Sequence, residues 1–176
     1  MNKEIIIRKV KKEDASEYLK IVNFVWRSAY KDIFPEEVFI KKEEELKEKV
    51  EKFSLKYYND NKKICYVAEY HGNIIGIMNG QINSNYEYFC EKGYSDLIAL
   101  YIHPDFQSLG IGTKFKEIFI DWAKKNGSNK FVIGVLKDNI KARIIYEKWG
   151  GKLSSHTNLF YKLGIGYDEV FYMYQI

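Results

Sequence analysis

The chain is short of several things. Among its 176 residues are two cysteines, Cys65 and Cys90, and two prolines, Pro35 and Pro104. Two isolated thiols supply neither a disulfide framework nor the spacing of a zinc site, so a reduced, cytoplasmic protein without a bound metal is expected. Neither thiol has a partner that marks it as a nucleophile, which disfavours a ping-pong route through an acyl-cysteine. No apolar run approaches the roughly 20 residues of a membrane-spanning helix. Met1-Asn2-Lys3-Glu4 carries charge but no apolar stretch ending in a small-residue cleavage site, so no signal peptide is expected. Little proline beside 15 Tyr and 11 Phe, in a chain that is 16% aromatic, excludes a disordered polymer.

What is present is ordinary for a globular protein: 46% hydrophobic and 30% charged residues. The length predicts one domain, residues 1–176. Lys and Arg total 28 against 24 acids, interleaved along the chain, for a net charge of +4 and a pI near 8.8. A nucleic-acid binder carries a basic stripe or a domain pI above about 9, and no Lys/Arg-Gly-Phe/Tyr signature of RNA readers is present. One polyanionic small molecule accounts for the excess as well as a nucleic acid does. Charge alone does not choose between them.

Glu4 to Val10 reads as an opening strand. Asp14 and Glu17 predict a capping box ahead of a helix to about Tyr30. Pro35-Glu36-Glu37 starts a second helix, with Phe39, Leu46, Val50, Phe53 and Tyr57 at helical spacing and Glu43/Lys47 and Glu45/Lys49 pairs on its solvated face. Ile64–Tyr70 and Ile74–Ile82 predict a hairpin about His71-Gly72-Asn73. Asn83 to Gly93 reads as a loop. Leu97–Ile102 is a buried strand that His103-Pro104-Asp105 stops. A helix follows from about Gly110 to Lys125, ended by Asn126-Gly127. Phe131–Leu136 is a strand, Asn139–Trp149 a short helix, and Gly150-Gly151 a break. Lys152–Leu163 and Tyr167–Tyr174 form a last hairpin about Gly164-Ile165-Gly166. The expected class is α/β, a mixed sheet of six or seven strands flanked by about four helices.

The chemistry concentrates between Leu100 and Lys114. Two glycines, Gly110 and Gly112, remove side chains where backbone must approach a ligand, at a helix N-terminus that favours an anion. The spacing is not a P-loop, and Phe115 stands where the dinucleotide fingerprint needs a third glycine. A lone Gly-x-Gly is weak and by itself fits a packed strand–helix turn.

Its surroundings are specific. Gln107-x-x-Gly110-x-Gly112-Thr113, after a strand ending Leu100-Tyr101-Ile102-His103-Pro104, resembles the acetyl-coenzyme A motif of the GCN5-related N-acetyltransferases (GNAT). Asn139-x-x-Ala142-x-x-x-Tyr146-Glu147-Lys148-x-Gly150 resembles that family's second signature, at the right separation. Trp26, Tyr30 and Ile33-Phe34-Pro35 are similar to the first-helix region of small members. The resemblance spans nearly the whole chain and is strongest from Leu97 to Gly151.

The resemblance implies a GNAT-like fold and acetyl-CoA as co-substrate. It places the pantetheine arm on the backbone of Leu100, Tyr101 and Ile102, and the pyrophosphate on Gln107, Ser108, Leu109, Gly110, Ile111, Gly112, Thr113 and Lys114. Asn139, with Ala142 beside it, holds the pantetheine or its loop, and Tyr146 stands at the position of the general acid. The implied reaction is direct transfer of the acetyl group to a primary amine, with an amide such as that of Ile102 stabilising the oxyanion. The base is less well marked. Some members that acetylate protein N-termini use a Glu where this chain has Gly134. Asp96 aligns with an acid common in the family and suits a proton relay through water. Of the histidines, His103 fits a turn-shaping role, His71 a hairpin turn, and His156 faces the acceptor side.

Trp26, Tyr30 and Tyr86, with Phe34, Tyr88, Phe89 and Tyr161 and the acids Glu87 and Glu91, suit an aromatic pocket for a small cationic amine. Core packing explains the same residues. The terminal part, from His156 through Phe160 to the last strand, resembles the polyamine acetyltransferases. The expected partner is therefore a small-molecule amine, with no nucleic acid and no membrane. A homodimer, a catalytically idle CoA-binding module and acetylation of a protein N-terminus stay open.

Overall fold

The computed structural model describes residues 4–57 and 60–176, with side chains 54–57 excepted, so the Met1–Lys3 start and the Tyr57 ring lie outside the described residues. Among the described residues seven strands and six α-helices are formed, two helices more than the sequence pattern suggests. The sheet order is β1-β2-β3-β4-β5-β7-β6. The chain divides into two compact units, Met1–Gly80 with Ala99–Phe119, and Gln81–Ile98 with Ile120–Ile176.

In the first unit, β1 (Ile6–Lys9) pairs antiparallel with β2 (Lys63–Tyr70), Ile6 opposite Glu69. The Arg8 guanidinium on β1 donates to both oxygens of Asp14, at 2.7 and 2.9 Å, and to Glu69 Oε2 at 2.8 Å. Asp14 also accepts from the Lys11 amide at 2.6 Å. The expected capping box is thereby corrected. Asp14 precedes α1 (Ala15–Tyr30), but its carboxylate closes a preceding 3-10 turn and pairs with Arg8 rather than capping α1. An Arg fork offers a carboxylate two charge-assisted bonds where a helix amide offers one.

The expected second helix is two: α2 (Glu36–Glu44) and α3 (Leu46–Tyr57), parted at Glu45. Mixed-sign charges give little side-chain packing to hold a long helix straight, and each piece seats its own apolar residues: Val38 and Phe39 from α2, Phe53 from α3. The predicted i,i+4 contact of Glu45 with Lys49 forms at 2.7 Å. β3 (Asn73–Gln81) follows β2 through His71 and Gly72, both at positive φ (50° and 79°), as a tight hairpin turn requires. Tyr18, Ile21 and Val25 of α1 bury against Phe53, Val67 and Ile77 to make this unit's core.

The second unit begins in the segment expected to be loop. It contains α4 (Glu87–Glu91), one short helix that seats Phe89 in the core with Val132 and Phe171. That one burial wins over five residues with no helical period. β4 (Ser95–Ile102) starts in this unit and finishes in the first, as α5 (Ile111–Lys125) does in reverse. β4 runs parallel to β5 (Lys130–Leu136) in a register of two pairs, Ser95↔Phe131 and Asp96↔Val132. α6 (Ile140–Lys148) is followed by β6 (Lys152–Lys162) and β7 (Ile165–Gln175), an antiparallel pair with a register shift between Leu153 and Thr157. Their turn is Leu163-Gly164, at φ 50° and 79°, so Ile165 and Gly166 belong to the strand and not, as expected, to the turn.

Among the described residues no helix is long and apolar enough to cross a membrane, and no group of three His, Cys, Asp or Glu side chains could hold a metal ion.

Candidate active site

In the first unit the end of β4 leads into the glycine turn. The His103 amide donates to Ile75 O at 2.8 Å, holding the chain beside β3 up to its last strand residue. Pro104–Phe106 then makes one 3-10 turn, and the Asp105 amide donates to His103 Nδ1 at 3.2 Å. His103 therefore shapes the turn, and its ring stacks on Phe24 at 4.7 Å. Gln107 folds back, its amide nitrogen donating to Ile102 O at 3.1 Å. Ser108 and Gly110 both take left-handed backbone, φ 61° and 82°. The exposed segment from Gln107 to Gly110 so delivers the chain to α5, where the amides of Ile111, Gly112 and Thr113 have no acceptor within the helix. Left-handed residues ahead of a helix N-terminus form a concavity of amides suited to a phosphate. Lys114 adds a cation at its rim, 3.8 Å from Glu117.

Gly76 on β3 has a role the sequence did not mark. A Cβ there would lie 3.2 Å from Tyr101 O and 3.5 Å from the Ile102 side chain, so its absence lets β3 lie close against this stretch of β4. The Tyr101 hydroxyl accepts from Trp26 Nε1 at 2.9 Å. Trp26 stacks on Phe34 at 5.6 Å and meets Tyr30 at 5.0 Å, and Lys42 lies 4.1 Å above its ring. Tyr30 and Phe34 are buried. Trp26, Tyr30 and Phe34 thus pack on one another, with a cation of the chain's own on the Trp, while Tyr86, Tyr88, Phe89 and Tyr161 belong to the second unit.

In the second unit Asp96 is 2% exposed. Ser84 Oγ and the Asn85 amide donate to its Oδ2 at 3.2 and 3.3 Å. Burial pushes its carboxyl up to about 6, the two donors pull it back in part, and the charge of Glu169 adds to the rise. Glu169, from β7, is 6% exposed. It accepts from the Tyr86 hydroxyl at 2.8 Å and from Asn158 Nδ2 at 3.1 Å. Glu169, Asn158 and Ser84 were not marked by any motif; their strand alternation would have put Glu169 and Phe171 on one face, but not which face is buried. His156 stacks flat on Tyr88 at 4.2 Å, and Lys92 covers that ring at 3.8 Å.

The second signature forms a capped helix in the same unit. Asn139 Oδ1 accepts from the Ala142 amide at 3.3 Å, capping α6. Tyr146 is half-buried, its ring 5.8 Å from Trp149 and 5.9 Å from Tyr172. Its carbonyl accepts from the Gly151 amide at 3.0 Å and the Tyr174 hydroxyl at 2.9 Å. The Tyr172 hydroxyl donates to Glu147 at 2.6 Å and receives Arg143 Nε at 3.2 Å. Burial, then the bond to Glu147, hold the Tyr172 phenol above its usual range. Cys65 is buried, its thiol pushed up to about 12 by burial, while Cys90 is exposed.

The acetyltransferase (GNAT) family profile matches residues 24–151, which include both signatures. An uncharacterized N-acetyltransferase of Bacillus subtilis strain 168, YobR, is 31% identical over 65 residues, 36% of this chain and 26% of YobR's length. The fold is similar to that of an N-acetyltransferase of Staphylococcus aureus Mu50, with a TM-score of 0.71 at 22% identity over 98% of each chain. It is also similar to the PaiA N-acetyltransferase of Thermoplasma acidophilum in complex with coenzyme A, with a TM-score of 0.66 at 20% identity over 98% of this chain and 99% of that one.

Proposed function

The chain belongs to the acetyltransferase (GNAT) family, and from that membership we propose that it transfers the acetyl group of acetyl-CoA directly to a primary amine of a small molecule, a polyamine being the first candidate. The observation that carries the reading is the turn before α5, where Ser108 and Gly110 in left-handed backbone lead into helix-start amides without an acceptor inside the helix. That geometry suits the pyrophosphate of a CoA molecule, with Gln107 through Thr113 giving backbone and Lys114 giving charge. The two-pair register of β4 on β5 supports a role for the backbone of Leu100, Tyr101 and Ile102 in pairing with the pantetheine arm. Asn139, by capping α6 at the Ala142 amide, fixes the start of the helix that carries Tyr146.

The chemistry asks three things of the protein. An alkylamine with a pKa near 10.4 is only about one part in a thousand neutral at pH 7.4, so a proton must leave before attack. The thioester oxygen gains charge as the C–N bond forms, and a strand amide, here that of Ile102, stabilises it. When the C–S bond breaks the thiolate takes a proton, which the Tyr146 phenol supplies. Asp96, carrying a proton affinity near neutrality, is placed in this scheme as a relay between amine and water.

A screen of acetyl-CoA against polyamines, amino acids, aminoglycosides and ribosomal-protein peptides, read as free thiol, tests the reading. Sustained thiol release with at least one amine is expected. Binding of acetyl-CoA without release for any acceptor would instead make the chain an idle CoA-binding member.

A further inference from the structure

We propose that the Tyr86 hydroxyl takes the proton from the acceptor amine and passes its own to Glu169, the two forming a relay kept in register by Asn158 and by the missing side chain at Gly134. The inference deepens the amine-acetylation reading above and rests on it.

Glu169 is a buried carboxylate whose hydrogen-bond partners among the described residues, Tyr86 and Asn158, are both neutral. Its charge acts on a second buried carboxylate, Asp96, which is likewise held by neutral donors, Ser84 and Asn85. Burial first, and then the charge of Glu169, favour a proton on Asp96. As a structural device the arrangement is poor, since buried charge without a cation is costly. As a proton acceptor it is apt, because a carboxylate held only by neutral donors can take a proton through one of them without giving up an ion pair.

The backbone is shaped around the contact. A Cβ on Gly134 would meet Glu169 Oε1 at 2.9 Å and the Tyr86 hydroxyl at 3.0 Å, so an alanine there would displace the pair. The Tyr86 ring is fixed edge-on against Phe171, 4.6 Å between centroids. Tyr86 is half-buried, whereas Glu169 is buried. A phenol that donates to a carboxylate keeps lone pairs with which to accept. The other titratable groups around the relay are Asp96 from β4, Tyr88 under Lys92, Tyr94 under Lys130, and His156 from β6, whose ring lies 5.7 Å from Phe171.

The step balances without a co-reactant. One ammonium N–H bond breaks as its proton bonds to Tyr86 Oη, the former Tyr86 proton bonds to Glu169 Oε1, and the nitrogen keeps the electron pair that attacks the thioester. Tyr86 ends neutral, Glu169 ends protonated, and the proton is then lost to water. Tyr86 touches the substrate in this scheme; Glu169 acts through it.

The test pairs Glu169→Gln, which keeps shape and an oxygen for Tyr86, with Tyr86→Phe, which keeps the ring. With the amine of the acceptor screen that turns over fastest, each variant is expected to lower kcat/KM for that amine by about a hundredfold at pH 7 with KM for acetyl-CoA unchanged. The pH profile of each then rises tenfold per pH unit toward the amine's own pKa, which a structural defect does not produce. Wild-type rate and profile in Glu169→Gln overturn the relay. A second readout needs no acceptor: carboxyl carbon NMR of the protein follows Asp96, whose midpoint is expected to fall when Glu169 becomes Gln. An unmoved midpoint means the two acids do not couple and also overturns the relay. If Asp96 does shift but no amine in the screen is acetylated, the transfer reading fails, and the relay with it, while the coupling of the acids stands as a measured fact.

Discussion

Gly134 and Glu169, on adjacent strands, occupy one space: a Cβ on residue 134 would sit 2.9 Å from Glu169 Oε1. The carboxylate fills the volume that any other residue type would need. Gly134→Ala is therefore expected to destabilise the protein by about 1–3 kcal/mol through overpacking, seen as a lower urea midpoint with an unchanged slope. An unchanged midpoint would mean that Glu169 swings aside freely.

How much of this was legible beforehand depends on where the information sits. The glycine turn and the Asn139–Tyr146 helix were readable because their function needs particular residues at fixed spacing on continuous chain. Glu169 was not, because its meaning comes from Gly134, Tyr86 and Asn158, which are near it only after β5, β6 and β7 pair. The Glu45 break and helix α4 were missed for a different reason. Each is decided by one or two residues reaching a core, Phe53 in the first case and Phe89 in the second, rather than by a sustained period. Asp14 has the right residue type and spacing for a helix cap, and Arg8, six residues earlier on another element, outbids the helix for it.

Tyr146→Phe is expected to lower kcat about tenfold or more while the affinity for acetyl-CoA barely moves, since only the acid is removed. Single-turnover kinetics beside a CoA-binding titration check it. An unchanged kcat would take the acid role away from Tyr146.

Gly110 is tolerant in space and intolerant in backbone: nothing lies within 4 Å of its would-be Cβ, yet its φ is +82°. Gly110→Ala is expected to cost about 1–2 kcal/mol of the turn's conformation and to weaken acetyl-CoA binding. Gly110→Asn, whose side chain tolerates left-handed backbone, should recover part of that affinity. Isothermal titration of both variants distinguishes strain from bulk.

Asp96 and Asp14 should leave opposite marks on stability against pH. The Asp96 carboxyl is raised to about 6, so its contribution to stability is full below the unfolded value near 3.8 and is lost as pH rises through 6. Asp96→Asn is therefore expected to stabilise the fold by up to about 2–3 kcal/mol at pH 8 and to change little at pH 4. Arg8 holds Asp14 below its usual range, so that contribution is present above about pH 4 and lost as pH falls through the lowered value. Arg8→Leu should cost stability at pH 7 and progressively less in stronger acid. Urea unfolding at three pH values reads both.

The contrast between Cys65 and Cys90 gives the molecule its own clock. Cys90, exposed on α4, will take an alkylating probe in the native state, and Cys65, buried with its thiol held protonated, will not. Once the first site is filled, each further labelling event counts an opening of the β2 region. One unmodified protein sample can thus time its own excursions from the folded state, and a dye on Cys90 will sit within the short helix that follows Tyr86.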